Sequence, residues 1–178
     1  GLSRLRFVSR LEFGVDRRPQ FIEVVVVDTD LACAEILVRV ENDFEAVTVH
    51  LDEVEETARG TTILATNAWS AVQAAEIKTR RCTFWGVQYH PEYSFGDIAA
   101  VFRRVKQAAI EQGLFRDELD HARYIAELEA LEREPANQAL NWRHGISLAV
   151  SDFAQRTREL KNWIERQVLP MRSKRGRA

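Results

Sequence analysis

Cysteine is scarce in this chain: there are two among 178 residues, Cys33 and Cys82. Two thiols at no ligand-like spacing exclude a disulfide framework and a cysteine-built zinc site. No apolar run approaches the ~20 residues that cross a bilayer as a helix. Near the amino end Arg4, Arg6 and Arg10 interrupt any stretch that could read as a secretory signal. There is no glycine-rich phosphate loop and no internal repeat. Neither sign of charge dominates, the formal net charge being −2, so composition gives no case for nucleic acid as a partner. The basic run from Arg172 to Arg177 reads as a solvated, disordered end. These absences leave a cytoplasmic protein as the expectation, with no membrane and no nucleic acid among its partners.

What is present is ordinary for a globular chain: 46% hydrophobic and 29% charged residues. The length suits one domain with a helical appendage. Phe21 to Asp28, Ala46 to Leu51 and Thr62 to Ala65 read as strands, with Gly60 in the turn ahead of the last. Ala34 to Val40 is open between strand and short helix. Gln73 to Lys78 and Thr83 to Tyr89 read as a strand pair joined by a basic turn. Beyond them the period changes. Asp97 is expected to cap a helix with Ile98, Val101, Phe102, Val105, Ala109 and Ile110 inward, stopped by Gly113. A second helix spans Asp117 to Glu134, with Leu119, Ala122, Ile125, Leu128 and Leu131 on its apolar face. Trp142 falls in a connector. A third helix runs from Ser151 to Val168, with Phe153, Leu160, Trp163, Ile164 and Val168 inward and Pro170 beyond its end.

The most informative stretch is Phe84-Trp85-Gly86-Val87-Gln88-Tyr89-His90-Pro91-Glu92-Tyr93. A strand ends in a histidine and a carboxylate two residues apart, a spacing that puts both side chains on one side of extended backbone. Pro91 biases His90 toward that backbone. A carboxylate accepting from one ring nitrogen leaves the other free to act as a base. Phe84, Trp85, Val87 and Tyr89 give the strand a buried composition, and Gly86 within it suits close approach by a ligand or a neighbouring strand.

Gly86 to Glu92 closely resembles the histidine/glutamate signature of the class I (triad) glutamine amidotransferases. Ala46 to Val54, containing His50 and Asp52, resembles the segment of that family with a His-x-Asp element near the active-site face. The segments Gly60 to Asn67 and Val72 to Ile77 follow in the same order. The wording resembles the free-standing members related to the glutaminase half of GMP synthase. The resemblance is good over residues 44–112 and poor over 1–43, where only Glu12 to Val15 matches a family segment. Residues 113–170 resemble the helical carboxyl extension of that subgroup, and 171–178 form the basic tail.

The resemblance implies an α/β fold: an incomplete, flavodoxin-like doubly wound sheet followed by a helical extension. It implies His90 as base and then acid, Glu92 as its orienting partner, and glutamine as the small-molecule substrate. Ammonia would pass to a synthase partner, and no cofactor or metal is required. His50, Asp52, Gln88 and Tyr89 are implied as near the substrate or partner, or as packing residues.

The nucleophile of the family, a cysteine in Gly-x-Cys-x-Gly, is absent from the sequence. Cys33 lacks flanking glycines and stands too near His90 in sequence for the intervening family elements. Cys82 lies at the far end of the signature strand, roughly 25 Å from His90 if the strand is straight. The expectation is therefore a chain inactive by itself, with three readings open. These are an amidotransferase module lacking its nucleophile, a non-catalytic remnant serving protein interaction, and a related γ-glutamyl hydrolase.

In the family fold the central parallel strands, buried on both faces, would precede residue 1. Without them a hydrophobic sheet edge is left unpaired. The chain is accordingly expected either to be a piece of a larger gene product or to be poorly soluble alone. Light scattering across a concentration series checks this, and a monodisperse, cooperatively melting monomer would contradict it.

Overall fold

The computed structural model describes residues 6–9, 22–27, 43–49, 52–68, 70–80 and 82–175. Among the described residues seven strands come first: β1 (Arg6–Ser9), β2 (Ile22–Val27), β3 (Asp43–Val47), β4 (Asp52–Glu56), β5 (Thr61–Thr66), β6 (Ala74–Lys78) and β7 (Thr83–Val87). Helices follow: α1 (Phe95–Arg104), α2 (Lys106–Glu111), α3 (Glu118–Arg133), α4 (Gln138–His144), α5 (Leu148–Ser151), α6 (Phe153–Arg156), α7 (Arg158–Trp163) and α8 (Leu169–Arg175). A π-turn, Ile164–Val168, joins α7 to α8. The chain is α/β, with strands first and a helical carboxyl-terminal part.

Five strands form one sheet in the order β3-β2-β5-β6-β7, and β1 pairs with β4 separately. Every pairing among these strands is antiparallel. No parallel pairing of a doubly wound sheet occurs among the described residues. Phe21–Asp28, Thr62–Ala65 and the Gln73–Lys78/Thr83–Tyr89 pair are strands to within two residues of the sequence expectation. The strand expected over Ala46–Leu51 instead begins at Asp43 and ends at Val47. The charged strand β4, Asp-Glu-Val-Glu-Glu, gave no apolar signal; it is held by its ladder to β1. Residues 34–40 lie outside the described residues.

The turn between β4 and β5 needs Gly60. Its φ is +85°, and a Cβ there would lie 2.7 Å from the Lys78 carbonyl oxygen. At Gly86 the close approach comes from within the strand, because a Cβ would stand 2.9 Å from the Phe84 ring. Phe84 was expected to be buried, but β7 is an edge strand and Phe84 is 48% exposed. Trp85 faces the sheet's neighbour instead and donates from Nε1 to Glu76 across the β6–β7 ladder at 2.9 Å.

Helix α1 is started by Ser94, not by Asp97. The Ser94 side chain accepts from the Asp97 backbone N–H, while the Asp97 carboxylate accepts from the Ser94 N–H. That reciprocal pair is a capping box, with Asp97 at the third helical position, in the first turn. The apolar stripe from Ile98 to Ala109 is interrupted at Val105, which separates α1 from α2. Asp117 caps α3 as the sequence suggests. Two residues assigned to its inner face are outside: Leu119 is 79% exposed and Ala122 is exposed. His121 takes the inner position and hydrogen-bonds the Phe102 carbonyl oxygen at 3.1 Å.

The larger core joins the sheet to the helices. It contains Val47 from β3, Ile98, Ala99 and Phe102 from α1, Ile125, Leu128 and Leu131 from α3, and Val150 from α5. A second cluster, Ala46, Leu64, Ala65, Ala74 and Tyr89, lies over the sheet. The carboxyl helices differ most from expectation. Phe153, Trp163, Ile164 and Val168 are exposed, and the buried residues of α7 are Glu159 and Asn162. Trp142 lies on α4 and is 89% exposed. Pro170 does not follow a helix end but is the second residue of α8, inside a helical run that continues from the π-turn through Leu169.

Leu128 is fully buried where α1 meets α3. Leu128→Ala is expected to cost about 2–5 kcal/mol of unfolding free energy, read by denaturant titration.

Candidate active site

The signature segment leaves β7 at Val87 and is held by backbone hydrogen bonds on both sides. Gln88 N–H donates to the Gln73 carbonyl at 2.8 Å, and His90 N–H donates to the Val47 carbonyl at 2.7 Å. Tyr93 N–H returns to the His90 carbonyl at 3.3 Å, closing a turn around Pro91 and Glu92. The chain is thus fixed before and after the imidazole.

His90 and Glu92 meet as their spacing suggests. Nδ1 of His90 lies 2.8 Å from Oε1 of Glu92. A carboxylate only accepts, so the proton of this bond sits on Nδ1. Among the described residues Nε2 makes no hydrogen bond. The side chains are partly open to solvent, His90 at 27% and Glu92 at 50%. Tyr93 stacks on the His90 ring, with centroids 4.1 Å apart and planes 7° from parallel. Tyr93 itself packs against the larger core.

The other expected site residues fall into different places. Gln88 lies beside this turn; its amide donates from Nε2 to the Asp52 carbonyl and accepts at Oε1 from Ser70, both at 3.1 Å. Asp52 therefore meets the signature segment through its backbone, and its side chain is exposed. His50 and Cys33 lie outside the described residues. Cys82 is exposed at the opposite end of β7 from His90, with its sulfur 3.3 Å from the Thr79 hydroxyl. Among the described residues no three imidazole, thiol or carboxylate side chains gather as a metal site. No helix among them is long and apolar enough to cross a membrane.

Tyr89 points away from His90 into the molecule. It is buried, packs edge-on to Phe44 at 5.5 Å, and donates its hydroxyl to Glu159 on α7 at 3.1 Å. Burial raises the pKa of the Glu159 carboxyl above the ordinary carboxylate value, a shift opposed by hydrogen bonds and by Arg158. Burial and the adjacent Glu159 hold Tyr89 well above the usual phenol range, so it remains the donor. A cavity of about 40 Å³ lies here, bordered by Tyr89, Pro91, Arg156, Arg158 and Glu159. The helical part therefore supports the signature turn from behind.

The peptidase C26 family matches residues 16–92, a span that begins ahead of residue 44 and ends on Glu92. Over those residues the chain is similar to this class I glutamine amidotransferase-like family. A curated relative, the gamma-glutamyl-L-1-hydroxyisopropylamide hydrolase of a Pseudomonas species, is 34% identical over 128 residues. That alignment covers 71% of this chain and 43% of the relative, so the chain spans less than half of that protein's length. Among solved structures, SMU.1228c aligns over 91% of this chain and 55% of its own, with a TM-score of 0.54 and 10% identity. A glutamine amidotransferase of Thermotoga maritima aligns over 74% and 50%, with a TM-score of 0.46 and 13% identity. The first likeness concerns the fold alone, and the second is too loose to extend it.

Sequence reasoning missed Tyr93 and Glu159. A tyrosine three residues after the histidine, across a Pro-Glu turn, was a readable signal for the first. Nothing local marks Glu159, because its partner is 70 residues away.

The Glu159 shift has a definite sign. A carboxyl whose folded pKa is raised favours folding below its unfolded value, near 4.5, and that contribution is lost as pH rises through the folded value. Glu159→Gln stays neutral throughout. Its melting temperature relative to the parent chain is expected to rise from pH 4.5 toward pH 8, measured by thermal melts across that range.

Proposed function

We propose that this chain carries the base and orienting acid for hydrolysis of a γ-glutamyl amide bond, glutamine being the simplest such substrate. The supporting observation is the His90 Nδ1–Glu92 contact at 2.8 Å with Nε2 unpartnered among the described residues. In this reading Nε2 takes the proton of a thiol, and the thiolate attacks the amide carbonyl. The imidazolium, held in plane by Glu92, returns that proton to the departing amine or ammonia. Water, deprotonated by the same nitrogen, then cleaves the thioester and releases glutamate. The γ-glutamyl amide specificity of the Pseudomonas relative favours hydrolysis to solvent.

The thiol is not one of this chain's own. No cysteine stands in a glycine-flanked turn, and Cys82 is at the wrong end of β7. We assign no activity to the 178 residues by themselves. Delivery of ammonia to a synthase partner is the second reading, favoured by the likeness of residues 44–112 to GMP synthase-like amidotransferases. A remnant serving protein interaction is the third, favoured by the missing nucleophile.

The isolated chain is expected to release no glutamate from glutamine or from a γ-glutamyl alkylamide. Co-expression with a segment that supplies a Gly-x-Cys-x-Gly turn is expected to produce release. His90→Ala abolishes that release, and Glu92→Gln lowers it by about 10⁴-fold. Release by the isolated chain that vanishes in Cys33→Ser would overturn the assignment, and release indifferent to His90 would support the remnant reading.

A further inference from the structure

We infer that Tyr93 is a positioning residue for His90, an inference that rests on the hydrolytic reading of the His90–Glu92 pair. A carboxylate hydrogen bond fixes one nitrogen of an imidazole in the ring plane but leaves the ring free to rock about that bond. Rotation about the Cβ–Cγ axis is stopped only by something lying against a ring face. Tyr93 lies there, nearly parallel to the imidazole, with centroids 4.1 Å apart.

The platform is itself anchored. Its ring packs against the core built by α1 and α3, and its N–H closes the turn onto the His90 carbonyl. Two residues on, Phe95 is buried in that same core. Tyr93 therefore carries the rigidity of the helical layer to a ring that is otherwise more than one-quarter open to solvent.

The contact has an electrostatic consequence as well. When Nε2 takes a proton the imidazole becomes a cation, and the electron-rich face of a phenol ring attracts a cation placed over it. Glu92 supplies charge in the plane of the ring, and Tyr93 supplies quadrupole above it. Together they occupy Nδ1 and one ring face, while Nε2 makes no hydrogen bond among the described residues.

The test uses the 178-residue chain labelled with ¹⁵N and ¹³C. In the parent, His90 is expected to show the Nδ1–H tautomer, nuclear Overhauser contacts to the Tyr93 ring, and upfield-shifted carbon-bound ring protons. Tyr93→Phe, which keeps the ring, is expected to preserve all three. Tyr93→Met, which fills the space without a ring, is expected to lose the upfield shift and show the Nε2–H tautomer in exchange with the first. Tyr93→Leu replaces it if thermal melting shows that the methionine variant fails to fold. An unshifted His90 in the parent, or an unchanged tautomer in the folded ringless variant, would overturn the inference. None of these signals requires turnover. Failure of the co-expression assay with the stacking signatures intact would sink the hydrolytic reading, whereas loss of the signatures alone would sink the role of Tyr93.

Discussion

One backbone hydrogen bond holds the arrangement together: His90 N–H to the Val47 carbonyl, 2.7 Å, between segments 43 residues apart. Val47 is 1% exposed and belongs to the core that α1 and α3 build. The bond fixes the histidine at the point where β7 has ended and the chain is free of its ladder. Everything that gives His90 a defined direction depends on that placement. Tyr89 is driven inward on one side, Glu92 meets the ring on the other, and Tyr93 lands on its face. A loop histidine without this anchor would retain a carboxylate neighbour but no fixed orientation.

The helical layer contributes to this geometry from two sides. From α1, the capping box of Ser94 and Asp97 begins immediately after the turn, so the chain passes from the imidazole into a helix within four residues. From α7, Glu159 accepts the Tyr89 hydroxyl. A buried carboxylate with one phenolic donor is a costly device, since burial disfavours its charged form. Its position behind the signature turn makes the carboxyl extension part of the site's support.

How much of this was legible depended on whether the determining contacts were local. The His90–Glu92 pair was readable because an i, i+2 spacing in extended chain settles it. Strands β2, β5, β6 and β7 were readable from their composition. The start of α1 was misplaced by one turn because both Ser94 and Asp97 are capping residues, and only the reciprocal hydrogen bonds tell which plays which part. Strand β4 was invisible, being charged and held by a ladder rather than by burial. Phe84 was misread because buried and edge strands share a composition, and only the sheet order distinguishes them. The carboxyl stripe was misread because periodicity says which residues share a face, not whether that face meets anything.

The π-turn at Ile164–Val168 bears on that last helix. Such a turn holds about 4.4 residues where an α-helix holds 3.6, so it rotates everything after it relative to everything before. A helical wheel drawn straight through residues 158–175 aligns Leu160, Ile164 and Met171; the wider turn separates Met171 from the other two. The backbone stays helical on both sides of it, at Trp163 and Leu169, so the rod is widened there and not broken. The two halves of this helix therefore carry their oily surfaces out of phase, and neither can be extrapolated from the other.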